Sequence, residues 1–556
     1  MVVHIDRLIT CRRQSVCAAA FLLALGLIAA GCRHPAADGD GGPGDPSPMR
    51  SPDTIVVGYS TDMTSVNELI SPNTALHTAL HYFMLFMPLL KEQPDFATGP
   101  PTWKPLLARS WRFSDDRRQL TFELRPDAVW SDGEPITADD VYWTWQAQIH
   151  PAVAWGSAVI KRHIVDVEVL DPHTVRVYFD RPYANQLIDV AGSGVVLPRH
   201  AWSALPFEQW RANPQWFADH LVTSGPLTLE RWQPGERIVL RRNERYFAGD
   251  PPSYERLVLL VIPDENTRLA HLRRGDVHLI EVMPASAARL AGEPAITIER
   301  YPTRQIVFIA WNHLRPPFDD PRVRRALTMA INRQQIIDTL YHGYALPTAT
   351  WYGNDTWLSH GDLQPLPYDP QAARQLLAEA GFADDDGDGI LERDGRPFRF
   401  ELLTNEDNQT RGDIMVMVQE QLKKVGVAVD TQLLEFNTLV ARELAHQYDA
   451  AVSSYGIDTS FDLSGILHSK ATRTLNVMSY SNPEVDRLLE EIQAAIDPLA
   501  TKPLHLRLQE LVHRDQPATL LYQPQRLIAY RGLSNVEPTP LSVFWNVASW
   551  RLEPEP

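Results

Sequence analysis

The chain has 556 residues, 44% of them hydrophobic and 22% charged. This is ordinary globular composition, enough for roughly three or four domain-sized units, and it excludes a mostly disordered chain. The formal net charge of -17 argues against general nucleic-acid binding, because neutralising phosphates needs surplus Lys and Arg. Apart from one run near the start, no apolar stretch approaches the about 20 residues of a membrane helix, which excludes a channel or permease.

In chain order, Arg7, Arg12 and Arg13 precede a short apolar run, Ala18 to Ala30. A basic segment before a short apolar one predicts a signal peptide over 1–31. Ala29-Ala30-Gly31 before Cys32 resembles a bacterial lipobox, with Ala29 where the usual Leu stands. Cys32 is therefore expected to carry lipid and to become the mature N-terminus. Arg33 follows it rather than an Asp, which leaves the choice of inner or outer membrane open. The other cysteines, Cys11 and Cys17, fall in the segment to be removed. The mature domain then has no thiol for a disulfide, a thiolate zinc site or a nucleophile. Residues 32–52, rich in Gly, Pro, Asp and Ser, read as a flexible tether.

Strand patterns begin at Thr54 and recur at Gln119–Leu124, Thr174–Phe179, Arg237–Leu240, Arg256–Ile262 and Arg304–Ala310. Helical spacing dominates after Asp320. Asp320-Pro321, Asp369-Pro370 and Asn482-Pro483 each set a capping residue before a proline at the first helical position. Gly381 is the expected stop of the second of these helices. Thr137 to Asp140 predicts a capped helix carrying Val141 and Trp145. Strands mixed with helices, without a strict βαβ rhythm, indicate an α/β or α+β protein of several lobes.

Residues 114–145 read SDDRRQLTFELRPDAVWSDGEPITADDVYWTW. This run resembles a signature of the solute-binding proteins of peptide ABC transporters, bacterial extracellular solute-binding protein family 5. Further similar stretches follow in the family's order: Thr223-Ser224-Gly225-Pro226, Asn243 with Tyr246, Ile262-Pro263-Asp264, Gly275-Asp276-Val277, Pro317 to Leu327, Tyr368 to Phe382 and Tyr480 to Asp486. The resemblance implies an α/β, two-lobed periplasmic-binding-protein fold with a hinge and an extra subdomain. The expected division is lobe I in pieces at 53–85, 215–310 and 518–556, the extra subdomain at 86–214, and lobe II at 311–517.

It also implies an interlobe cleft that holds a peptide for delivery to an ABC permease and ATPase. The membrane would be touched through the N-terminal lipid only, and a monomer at the periplasmic or extracellular face is expected. Relatives of this fold also carry nickel chelates, haem, opines or oligosaccharides, and a sensor or envelope chaperone without a transporter is a further alternative. A ligand ammonium in such a cleft needs an anion, because an unpaired buried charge costs several kcal/mol. The family's Trp-x-x-Asp-Tyr-x-Asp-Pro run has its counterpart at Tyr455 to Asp462, where Trp is Tyr455, Tyr is Thr459 and the Pro is lost. The resemblance thus points to Asp458 as the counter-charge, with Asp462 as fallback. Tyr455, Trp351, Trp357, Trp143, Trp145 and Trp155 are the candidates for apolar or stacking contact with the ligand; core packing is the competing reading of each, and Trp145, four residues after Val141, reads as core.

Asp384 to Glu392 looks like the start of a calcium loop, but Gly395 stands where a bidentate Glu is needed, so a plain turn before a hairpin is preferred. His77 and His81 lack the Glu of a zincin motif and read as core or surface residues. Arg322, Arg324 and Arg325 read as a solvated helix face. No catalytic constellation stands out. The chain reads as no enzyme, with no metal site and no cofactor.

Overall fold

A computed structural model describes residues 52–553 except 73, 193 and 473. The sequence expectations for the signal peptide, most of the tether and Cys32 lie outside the described residues. The strand at Thr54–Tyr59 pairs in parallel with Arg256–Val261 and Leu279–Glu281, and Arg237–Arg242 and Leu227–Gln233 extend that edge antiparallel. These strands form the sheet of the first lobe. In the second lobe Arg399–Asn405 pairs in parallel with Ala428–Leu434 and Ala450–Gly456. Gln305–Trp311 joins that second set through Ala450–Gly456, although the sequence reading placed 305–310 in lobe I. The chain has therefore already crossed at Thr303-Arg304.

The long strand Ala518–Tyr530 joins the two sets. Its first part pairs with Gln305–Trp311, from Ala518 opposite Ala310 to Tyr522 opposite Val307, with a register shift between Val307 and Phe308. Its second part pairs with Thr297–Pro302, from Gln525 opposite Pro302 to Tyr530 opposite Thr297, and also with Leu279–Glu281. The two crossing segments are thus neighbours, and both are interrupted at the same level. Pro524 has no N–H to give. Its carbonyl instead accepts from the Thr303 hydroxyl at 2.8 Å, and Gln523 Nε2 donates to the Thr303 carbonyl at 2.6 Å.

The extra subdomain is a separate antiparallel sheet, Ala108–Phe113, Gln119–Leu124, Thr174–Phe179 and Ile164–Asp171 in spatial order. Helix Ala138–Ile149 packs on it, opened by a capping box in which the Thr137 N–H donates to Asp140 at 2.8 Å. Subdomain and first lobe share one apolar core. The Ser224-Gly225 turn shows why its motif needs glycine. Both amides donate to the Leu85 carbonyl, and a Cβ on Gly225 would lie 2.2 Å from the Met84 carbonyl oxygen.

The three Asx-Pro starts are helices Pro321–Ala330, Pro370–Glu379 and Pro483–Ala494, each capped by the expected side chain. One reading on the first of them is corrected. Arg324 is 4% exposed and is no part of a solvated face. It donates to the carbonyls of Phe318, Asp319, Asp515 and Gln516 at 2.7–3.1 Å. Burial holds its guanidinium down at about 10. Spacing alone could not separate it from half-buried Arg325, because two of its four carbonyl partners lie some 190 residues away.

Arg324 thus fastens the helix to the turn that launches the long strand. Arg324→Ala strands several buried carbonyls, so it should cost about 3 kcal/mol or more. Arg325→Ala should stay within about 0.5 kcal/mol. Urea unfolding of both variants checks this. Equal midpoints would refute the anchoring role.

Candidate functional site

A large cavity has a volume of about 1270 Å³. Most of its wall comes from the first lobe and the subdomain: the turn at Glu68–Ile70, the helical turns through His77 and His81, and the Leu90–Glu92 strand. Six Phe, Tyr and Trp side chains line it: Tyr82, Phe83, Trp103, Trp155, Tyr246 and Trp545. Lys91 Nζ lies 4.2 Å from the centre of the Trp545 ring. From the crossing and the second lobe come Arg304 and Asp458. A second cavity of about 380 Å³ shares these two residues, which therefore stand where the two spaces meet.

Asp458 reaches this position because Ala450–Gly456 pairs with Gln305–Trp311 and the chain then leaves the sheet. The Ile457 N–H still donates to the Arg304 carbonyl at 2.8 Å. Asp458 is exposed, and its Oδ1 accepts from the Ser460 N–H at 2.9 Å and from the Ser460 hydroxyl. Four of the other sequence candidates sit elsewhere. Both oxygens of Asp462 are engaged, one with the Ser464 N–H at 2.9 Å and one with Gln493 Nε2 at 3.0 Å. Trp351 (2% exposed) and Trp357 belong to the apolar core of the second lobe. Tyr455 stacks on Trp351 and donates its hydroxyl to the Leu475 carbonyl at 2.7 Å. Among the five, Asp458 alone lines the large cavity.

Sequence reasoning missed Trp103, Tyr246 and Trp545 as wall residues. They sit at an element end or in loops, where no hydrophobic period marks a face. Trp155, a sequence candidate with core packing as the competing reading, is buried and also reaches the cavity. Glu92 and Arg304 were missed too, since a lone charge at a strand end carries no pattern.

The ionisable groups around the cavity are strongly perturbed. Burial pushes the Glu68 carboxyl up, although Tyr82 Oη donates to it at 2.7 Å and the Val195 N–H at 3.0 Å. Burial also raises Glu92, with Arg304 and Thr459 opposing and Asp458 and Asp95 adding to the rise. His77 is tied to Thr64 and Thr74. His81 is 1% exposed, and its Nε2 has no partner among the described residues. Burial, then His77, drive His81 down to about 3. The Asp384, Asp386 and Asp388 carboxylates are exposed, and Asp384 bonds the amides of Gly387 and Gly389 within its own turn.

The family model of bacterial extracellular solute-binding proteins, family 5, matches residues 102–474. The oligopeptide-binding protein AppA of Bacillus subtilis (strain 168) is 29% identical over 513 residues, spanning 90% of this chain and 91% of the relative. The solved structure of that AppA in complex with a nonapeptide has a TM-score of 0.75 and covers 90% of this chain and 99% of its own. The nickel-binding periplasmic protein of Escherichia coli (strain K12) is 27% identical over 407 residues, 71% of this chain and 73% of the relative. The chain belongs to the family 5 bacterial extracellular solute-binding proteins.

The His81 shift has a definite sign. Its folded value lies below the ordinary 6.5, so the stability it contributes is complete above that pH and is lost as pH falls toward about 3. One such group changes stability by about 1.4 kcal/mol per pH unit inside that window. His81 should show no imidazole titration by NMR above about pH 4.5. His81→Gln should reduce the slope of unfolding free energy between pH 6 and 4.5 by about that amount. A normal titration near 6.5 would overturn the assignment.

Proposed function

We propose that the protein is an extracytoplasmic receptor that captures a peptide between its lobes and hands it to an ABC importer. The observation that carries the reading is the large cavity at the strand crossing, with aromatic side chains on its wall and with Arg304 and Asp458 both lining it and the smaller cavity. Its size exceeds the about 300–1,000 Å³ common for drug-sized ligands, which suits an extended solute. The nonapeptide held by the B. subtilis relative is of that kind. In this reading the lobes close about the crossing strands, a hinge motion. Closure lowers the effective dielectric around Asp458 and strengthens its attraction for a ligand ammonium. Strand-like main-chain bonds would supply affinity without reading side chains.

Binding and delivery, with no turnover, make up the activity. The nickel-binding relative supports a second reading, in which the same cavity takes a metal chelate.

Native mass spectrometry of the purified domain, without its first 52 residues, separates the two readings. Peptide masses are expected on the parent protein, with Asp458→Ala retaining about a tenth or less, since a buried pair is worth about 3–5 kcal/mol and an exposed one about 0–1. A metal-chelate mass in their place, or equal retention by both proteins, would sink the peptide reading.

The envelope address rests on residues 1–52. Cys32 is proposed as the lipidated residue, with the protein held at the outer face of a membrane. Cys32→Ser should abolish metabolic labelling with a radioactive fatty acid and leave precursor or released protein. Undiminished label in the variant would refute it.

A further inference from the structure

Glu92 is the last residue of the short strand Leu90–Glu92, which pairs with Trp103–Pro105. Between them a loop leaves the first lobe, and its Phe96 does not stay there. Phe96 is 3% exposed and belongs to the second lobe's core, with its ring 6.4 Å from that of Phe461. Its carbonyl accepts the Trp357 N–H at 2.8 Å. Four residues from this anchor, Glu92 is held against the strand crossing.

There Arg304, Thr459 and Asp458 all act on its charge. Glu92 Oε1 is buried and has no hydrogen-bond partner among the described residues. A buried carboxylate oxygen without a donor costs the desolvation of that group. A peptide ammonium offers three donors and one positive charge. Glu92, Asp458 and Arg304 all line the cavity, as does Lys91.

On the reading that Asp458 receives the ligand's free amine, we propose that Glu92 is a second receptor for the same ammonium, supplied from the first-lobe side. The cationic end of the ligand is then gripped from both sides of the crossing, with the Arg304 charge, which acts on Glu92, offsetting the repulsion between the two acids. This makes Glu92 a specificity residue for solutes with a primary amine, and it makes Phe96 the residue that positions it.

The test uses the mature domain and a mixed-sequence library of peptides two to nine residues long, in free and N-acetylated forms. Retention is measured by mass spectrometry for the parent, Glu92→Gln, Asp458→Asn and the double variant. Glu92→Gln keeps the shape and removes only the charge. Thermal unfolding of each variant separates loss of fold from loss of binding. The expected result is that Glu92→Gln and Asp458→Asn each weaken free peptides by about tenfold or more, as for charge pairs that lose one partner. Acetylated peptides, weak on the parent, should change little. Phe96→Ala should reproduce part of the Glu92→Gln defect.

Glu92→Gln within about threefold of the parent while Asp458→Asn is impaired overturns the second receptor and leaves the Asp458 reading intact. Asp458→Asn without effect, or a parent that retains no peptide, overturns both. Equal loss of free and acetylated peptides in Glu92→Gln overturns the ammonium role as well.

Discussion

The antiparallel pairing of Ala518–Tyr530 with Thr297–Pro302 and Gln305–Trp311 ties together two sheets that would otherwise each end in an open edge. Unpaired edges invite association, and here one long strand closes both. Because the chain crosses by two adjacent segments, the lobes keep their axial register while the crossing can bend. Pro524 removes one ladder donor at that level, and the Thr303 and Gln523 side chains take over the bonding. A bend there breaks few main-chain bonds.

The charge chemistry follows from the same crossing. Arg304 sits in the break itself, and Asp458 follows the strand that pairs beside it. Neither residue is placed by its own local preference. Both are carried to the cavity margin by sheet register, and a one-residue slip would turn them away. Arg324 works at the turn before the long strand, where four carbonyls replace the carboxylate a surface arginine would seek. Burying such a cation is tolerable because its N–H groups are satisfied.

The link between the lobes is not confined to the hinge. Phe96 lies in the second lobe's core while the strands on both sides of its loop pack on the core shared by the first lobe and the subdomain. Opening the cavity must therefore carry that loop along or withdraw an aromatic side chain from a packed core, and withdrawal exposes area worth a few kcal/mol. The loop gives the molecule a second constraint on its motion, independent of the crossing strands.

The sequence by itself determined much of this protein. Alternation found Gln119–Leu124 and Thr174–Phe179 because one face of the subdomain sheet is solvated, and Asx-Pro caps found three helices because capping is local chemistry. The motif order was enough to reach the family. The second lobe's strands at 399–405, 428–434 and 450–456, and the long strand at 518–530, were not legible. Several are buried for most of their length, and strands covered on both faces lose the period-two signal. Asp458 could be reached through the resemblance, but Trp545, Glu92 and Arg304 could not. Their meaning lies in the distance between residues hundreds of positions apart, and only tertiary packing sets that distance.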